Sequence, residues 1–100
     1  MIIYTFPTTK NLSLSQIVSA LSSYVMSYSL PLSANITING SIGISMKDGI
    51  VQNIQITFFE NASEYSYTDS STGYKVTAQP LTSIPSQSEI EAILSQSGLI

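Results

Sequence analysis

Strict alternation of apolar and polar residues between Asn35 and Met46 is the feature that most restricts the fold. The even positions hold large apolar side chains, with Gly40 as the only gap: Ile36, Ile38, Ile42, Ile44 and Met46. The odd positions are small or polar, and none is charged: Asn35, Thr37, Asn39, Ser41, Gly43 and Ser45. Successive side chains of a strand point to opposite faces, so the pattern predicts one long strand buried on one side.

A turn at 47–49 separates this strand from a second one, predicted over Ile50 to Glu60. A two-residue loop of Asp48 and Gly49 would set Ile44 against Asn53 and Ile42 against Gln55, apolar against polar. A three-residue loop with Gly49 left-handed avoids that mismatch and is the register we predict. Its pairs are Met46 with Ile50, Ile42 with Ile54, and Ile38 with Phe58. Gly40 then faces Ile56 and marks a place for a helix to cross closely.

Two helices are predicted from capping boxes and apolar periodicity. Ser13 and Gln16 form the first box, and an apolar stripe at helical spacing follows until Pro31 ends the helix. The stripe consists of Leu14, Ile17, Val18, Leu21, Tyr24, Val25 and Tyr28. Ser86 and Glu89 open a second, shorter helix, with Ser88 and Glu91 as the alternative box, and Gly98 fits its C-terminal cap.

Shorter strands are predicted at Met1–Phe6, closed by Pro7, at Glu64–Thr68, and from Tyr74 to Ala78. The predicted fold is α+β, a single domain over residues 1–100 with the order β-α-β-β-β(-β)-α. An antiparallel meander of four to five strands is covered on one face by one long and one short helix, as a two-layer sandwich. This layout resembles the cystatin arrangement. The Gln-Val-Gly signature of cystatin inhibitors is missing, so the resemblance implies no function.

The composition excludes most common site chemistry. The chain has no His, Cys, Arg or Trp, and its net charge is −3 with Lys10, Lys47 and Lys75 as the only cations. Disulfides, thiol nucleophiles and Cys-ligated metals are therefore ruled out. Three scattered lysines make neither a nucleic-acid surface nor an attraction to anionic membranes, so neither partner is expected. The charge-free window Leu12–Leu32 holds too many serines for a membrane span.

Carboxylates and serines are the candidate catalytic or metal-binding residues of this chain. Glu60 and Glu64 flank one turn, and Asp48 and Asp69 lie in turns at the other end of the meander. Their spacing matches no calcium loop, and Asp is common in turns for conformational reasons. The serines have no histidine partner and no Gly-x-Ser-x-Gly elbow. We therefore predict no catalytic residue, no metal site, no cofactor and no enzymatic activity.

Two further patterns allow a functional interpretation. Glycosylation triplets occur at Asn11, Asn35, Asn39 and Asn61, although a chain rich in Ser and Thr produces such matches by chance. The tyrosines at positions 65, 67 and 74 could stack on sugars or bases, but cross-strand packing is the commoner role.

The polar face of the predicted hairpin carries no charge, which is unusual because soluble sheets protect open faces with Lys or Glu. We predict that this face is an interface, formed by Thr37, Asn39, Ser41, Ser45, Val51, Asn53, Gln55, Thr57 and Phe59. Desolvating neutral groups costs far less than desolvating charges. The expected function is that of a structural or accessory protein forming a homo-oligomer, a dimer first, through this face or a strand edge. The alternative is a small binding module for a neutral ligand such as a carbohydrate.

The source and compartment are less constrained. The Ile-, Ser-, Tyr- and Thr-rich, charge-poor and Cys-free composition resembles that of small proteins from viruses of thermophilic archaea. The apolar start stops at Pro7 and lacks a basic residue, so no signal peptide is predicted. We expect a cytoplasmic protein, in a host cell or associated with a virion if the chain is viral.

Overall fold

The computed structural model describes residues 1–26 and 30–100 as an α+β fold with two helices and two three-stranded sheets. The strands are β1 (Ile2–Pro7), β2 (Ile36–Ile38), β3 (Gly40–Lys47), β4 (Ile50–Phe58), β5 (Ser66–Thr68) and β6 (Lys75–Ala78). The helices are α1 (Leu14–Ala20) and α2 (Gln87–Gln96), and a 3₁₀ turn covers Ala62–Glu64. The α+β class and the antiparallel pairing are confirmed, but the strands number six and form two sheets rather than one meander.

The first sheet is antiparallel, with β4 in the centre between β1 and β3. Residues of one face stand in rows across the strands: Phe6, Ile54 and Ile44 form one row, and Tyr4, Ile56 and Ile42 form the next. The helices pack on this face and form one hydrophobic cluster with it. They contribute Ile17 of α1, Leu21 directly after α1, and Ile90 and Leu94 of α2. Ile42, Ile44, Ile54 and Ile56 therefore pack beneath the helices, as predicted. The prediction is wrong beside the hairpin loop, where Met46 and Ile50 are exposed at 58% and 54%.

The β3–β4 hairpin differs from the predicted register. Its loop has two residues, Asp48 and Gly49, both with positive φ (52° and 76°), and Lys47 pairs with Ile50. This turn alone would produce the apolar-to-polar mismatch described above. A register shift between Ser45 and Met46 restores the match, because Gln52 takes no cross-strand partner and the pairing continues as Ile44 with Ile54. The β-bulge lets a tight turn coexist with a buried apolar face.

The predicted long strand over 35–46 is interrupted at Asn39. β2 belongs to the second sheet, of order β2-β6-β5, where it pairs in parallel with β6, while β3 belongs to the first sheet. A second hydrophobic cluster lies under this sheet and contains Leu32, Ile38, Phe59, Val76 and Ala78. The consecutive residues Phe58 and Phe59 lie in different clusters, since adjacent side chains of an extended segment point to opposite faces.

Gly40 pairs with Phe58 and not with Ile56, and the segment that crosses it is not helical. A Cβ built at Gly40 would overlap with the carbonyl oxygen of Thr57 and would lie 3.0 Å from the terminal methyl of Met26. The predicted close approach is therefore present, but it comes from the β4 backbone and from the chain beyond α1.

Both predicted helix starts are confirmed. The Ser13 hydroxyl accepts from the Gln16 N–H, and the Ser86 hydroxyl accepts from the Glu89 N–H. Gly98 has φ 75° just after α2, where the Leu99 N–H donates to the Leu94 carbonyl oxygen at 2.9 Å.

The length predicted for the first helix is wrong. α1 ends at Ala20 and has seven residues, fewer than the ten of α2. The chain turns where Ser22 and Ser23 follow, residues that favour turns over helix interiors. This turn lets the Tyr24 ring pack edge-on against Phe58 at 5.4 Å and buries Met26. Tyr28 of the predicted stripe lies outside the described residues. A short first helix and two sheets depart from the cystatin-like layout.

Candidate functional site

The face of the first sheet that points away from the helices is built from three cross-strand rows. Cross-strand pairing places Ile3, Thr57 and Ser41 in one row, Thr5, Gln55 and Gly43 in the second, and Pro7, Asn53 and Ser45 in the third. None of these nine residues is charged. We call them the charge-free face.

The charge-free face is open at its middle. A Cβ built at Gly43 would meet no other atom within 4 Å, and Gln55 beside it is exposed. Ile3 is 51% exposed at one end of the face, whereas Thr57, its neighbour on the central strand, is 8% exposed. The surface is therefore a small patch of neutral groups with one large apolar side chain, Ile3, at its end.

Five of the nine residues predicted as an interface belong to this face: Ser41, Ser45, Asn53, Gln55 and Thr57. Val51 and Phe59 do not, and including them was wrong, because both are 3% exposed and buried by the chain itself. Phe59 belongs to the second cluster and stacks on Tyr65 with ring centroids 5.8 Å apart. Val51 precedes the bulge, where the alternation of β4 shifts.

The other two predicted interface residues lie elsewhere. Thr37 is exposed on β2 of the second sheet, where its hydroxyl donates to Gln79 Oε1 at 2.7 Å. Asn39 stands between the sheets. The predicted surface missed Ile3, Thr5 and Pro7, because the sequence left open where the first strand lies. The alternation of Ile3 and Thr5 with Tyr4 and Phe6 was the signal that they share a face.

Asn39 joins three parts of the chain through four hydrogen bonds, a set that we call the Asn39 junction. Its N–H donates to the Val25 carbonyl oxygen at 2.6 Å, and its Oδ1 accepts from the Val25 N–H at 2.9 Å. Its Nδ2 donates to the Gln79 carbonyl oxygen at 2.9 Å, and its own carbonyl accepts from the Phe59 N–H at 3.0 Å. The residue fastens the segment after α1 to the ends of β4 and β6.

Asp69 is a buried carboxylate that organises a turn. Oδ2 accepts from the Leu32 N–H at 2.8 Å, and Oδ1 accepts from the N–H and the hydroxyl of Ser71 at 3.0 and 2.7 Å. These donors, the Leu32 N–H first among them, lower the pKa of Asp69 from 3.8 to about 2. The charged carboxylate is therefore stabilised by hydrogen bonds and, among the residues that the structure describes, not by a neighbouring cation. The role of Asp69 is to dock the 30–35 segment on the 69–73 turn.

Glu60 and Glu64 also have structural partners. The Met1 amino group forms ion pairs with both carboxylates, at 2.8 Å to Glu60. The Glu60 N–H donates to Glu64 Oε1 at 2.6 Å. The amino group, and then the Glu60 N–H, lower the pKa of Glu64. The Glu64 carboxylate thus accepts hydrogen bonds from the backbone of the preceding turn, at residues 60 and 61.

Residues 1–26 and 30–100 contain neither a metal-binding cluster of side chains nor a membrane-spanning helix. No three acidic side chains in this part of the chain stand close enough together to hold a metal ion. No helix within it has both the length and the apolarity needed to cross a bilayer.

The three tyrosines considered for ligand stacking or for packing differ in exposure. Tyr65 packs on Phe59 in the second cluster, although neither residue lies in a strand, whereas Tyr67 and Tyr74 are exposed at 38% and 40%. Both exposed tyrosines belong to the β5–β6 region, so the charge-free face carries no aromatic ring.

Comparison of the chain with protein families, with characterised proteins and with solved structures finds no significant match to any of them.

Proposed function

We propose that the protein is a non-enzymatic structural or accessory protein that forms a homodimer by packing the charge-free face against a second copy. The observation that carries the proposal is three cross-strand rows without one charged residue, on a sheet face that is open at its middle and buried at Thr57. The two helices and their loops cover the opposite face, as they do in a two-layer α/β sandwich, which is the architecture that we propose for this half of the molecule.

A second copy is the occupant that the chemistry of the face favours. In a dimer with two-fold symmetry, the same patch meets itself, so any charge on the patch lies near its own like-charged copy. The charge-free face avoids that repulsion although the chain as a whole carries −3. Burying neutral amides and hydroxyls also costs less than burying charges.

The size of the face sets the expected strength. A standard protein interface uses about 20–30 residues from each partner, and this face supplies nine. We therefore expect a weak, concentration-dependent dimer with a dissociation constant of about 1 μM or weaker. Both β1 and β3 are edge strands of the sheet, so strand-edge pairing is a second geometry for the same association.

A single substitution on the face tests the proposal. Gln55→Lys adds a charge to the middle row, and Gln96→Lys adds the same charge to an exposed position on α2. Sedimentation or light scattering over a concentration series should show self-association for the wild type and for Gln96→Lys, and its loss for Gln55→Lys. A wild type that remains strictly monomeric at the highest concentration would overturn the proposal.

The second candidate function is a binding module for a neutral ligand, and the side-chain amides of Asn53 and Gln55 on adjacent rows favour it. These amides offer donors and acceptors without charge. A rise of the melting temperature with neutral sugars, abolished by Gln55→Lys in a monomeric protein, would replace the dimer proposal with this one.

A further inference from the structure

The Asn39 junction contains a chemically labile pair of residues. Asn39 is the one asparagine in the chain that is followed by glycine, since the others precede Leu, Ile, Ile and Ala. A glycine leaves its own backbone nitrogen sterically free to attack the side-chain amide before it, whereas a larger residue hinders that attack. Asn-Gly is therefore the pair most prone to intramolecular deamidation.

The fold requires both members of the pair. Gly40 cannot carry a Cβ, because the carbonyl oxygen of Thr57 occupies that space. Asn39 supplies an acceptor to the Val25 N–H and a donor to the Gln79 carbonyl oxygen from one side chain, which aspartate cannot do. The packing of the two sheets thus keeps a labile pair at the place where they meet.

We propose that Asn39 is a site of spontaneous, irreversible modification that records opening of the Asn39 junction. The Gly40 backbone nitrogen loses its proton to solvent and attacks Cγ of Asn39. A C–N bond forms, the Cγ–Nδ2 bond breaks, and Nδ2 takes up a proton from water and leaves as ammonia. Water then adds to the cyclic imide and cleaves one of its two C–N bonds, which gives aspartate or isoaspartate.

The closed junction suppresses the first step. Hydrogen bonds hold Oδ1 at 2.9 Å from the Val25 nitrogen and Nδ2 at 2.9 Å from the Gln79 oxygen, so the amide cannot turn toward the Gly40 nitrogen or expel its own. The reaction therefore proceeds from molecules in which the junction is open. The rate of modification in the native protein therefore equals the rate in the open form multiplied by the fraction of molecules that are open.

The product cannot restore the junction. A carboxylate oxygen in place of Nδ2 would face the Gln79 carbonyl oxygen, an acceptor opposite an acceptor at the distance of the former hydrogen bond. Isoaspartate also lengthens the main chain between the groups that bond Val25 and Phe59. A molecule that is modified while open therefore cannot re-form the junction, and such molecules accumulate with time.

Peptide mass spectrometry of the aged protein tests the proposal. The peptide containing Asn39 is followed in mildly alkaline buffer, with and without denaturant, beside the peptides containing the other four asparagines. In denaturant Asn39 should convert fastest of the five. In native buffer its conversion should be slower by about tenfold or more, since every tenfold corresponds to about 1.4 kcal/mol of opening free energy. Equal rates in the two conditions would overturn the proposal.

Two matched pairs of variants separate the junction from general stability. Val25→Pro removes the N–H that holds Oδ1, whereas Val25→Ala keeps it at the same half-exposed position. Native-buffer conversion of Asn39 should rise at least about tenfold in Val25→Pro relative to Val25→Ala. If Val25→Pro does not fold, Asn39→Asp reproduces one product and should melt below the wild type, while Asn11→Asp at an exposed position should not. Equal melting temperatures for these two variants would refute the claim that modification breaks the junction.

Discussion

At the scale of single residues, position in the sheet decides how much each isoleucine contributes. Ile54 and Ile56 of the central strand are fully buried, whereas Ile42 and Ile44 on the edge strand β3 keep part of their surface in water. The sequence pattern makes these four positions equivalent. The structure distinguishes them because β4 has a neighbouring strand on both sides, whereas β3 is an edge strand.

Ile54→Ala should therefore destabilise the protein more than Ile42→Ala. For Ile54, lost burial and the cavity left behind predict a decrease in the free energy of unfolding of about 2–5 kcal/mol. For Ile42 we expect a smaller loss, since solvent already reaches the side chain. Denaturant unfolding curves with a common slope measure both values. Equal losses at the two positions would contradict the burial order seen in the sheet.

Asp69 should make stability depend on acidity at low pH. Its folded pKa of about 2 lies below the ordinary value of 3.8, so the native state favours the charged carboxylate. The corresponding stabilisation is complete above the unfolded pKa and is lost as the pH falls through about 4 toward 2. Asp69→Asn should be less stable than the wild type at neutral pH, and the difference should shrink over this range. Melting temperatures at a series of pH values measure it, and parallel profiles would be inconsistent with this role.

At the scale of secondary-structure elements, signals within a few residues predicted well and signals between distant segments did not. The two helix N-caps, the C-terminal Gly98 and the presence of a turn before Ile50 were predictable, because each depends on local geometry, although the length of the turn was not. The split at Asn39 and the bulge at Gln52 were not. The split depends on a distant strand, since β2 pairs with β6. The bulge depends on the length of the hairpin turn, which the apolar pattern alone predicted wrongly.

The same distinction holds for the charge-free face. Its β3 and β4 residues followed from alternation, and its β1 residues required the strand order. Val51 was misplaced because the bulge changes which side a residue of β4 faces. Phe59 keeps the alternation and points away from Phe58, but the second cluster covers it. Hydrophobic periodicity assigns a face only while the strand stays regular.

Three glycines of the β3–β4 hairpin should respond differently to alanine. Gly40→Ala should be the most damaging, because the added methyl group overlaps with the Thr57 backbone. Gly49→Ala should cost about 1 kcal/mol, since its φ of 76° is unfavourable for a residue with a Cβ. Gly43→Ala is the control, with open space at its Cβ position, and should change stability by less than about 0.5 kcal/mol. Thermal unfolding of the three variants measures the order, and a Gly43 variant as unstable as the Gly40 variant would contradict it.

At the scale of the whole molecule, the two hydrophobic clusters are held together by continuous chain. Phe58 contributes to one cluster and Phe59 to the other, and the Asn39 junction ties the same region to the segment after α1. Neither sheet can lose its packing without disturbing β4 or its end. The two sheets should therefore unfold as one unit.

Ile56→Ala in the first cluster and Val76→Ala in the second should each lower a single, shared unfolding midpoint. Amide hydrogen exchange of β4 and of β6 reports on the two sheets separately. In both variants the most protected amides of the two strands should lose the same protection free energy, as two-state unfolding requires. Early exchange confined to β6 in the Val76 variant would show instead that the second sheet opens independently.

The parallel pairing of β2 with β6 also constrains the order of assembly. The β3–β4 hairpin forms between strands that are adjacent in sequence. By contrast, β2 and β6 are separated in sequence by β3, β4 and β5, so their pairing closes a long loop. Contacts between remote segments form slowly, because the loop entropy is lost before the pairing rewards it. The second sheet is therefore the last part to be completed, and weakening it should accelerate unfolding far more than it retards folding.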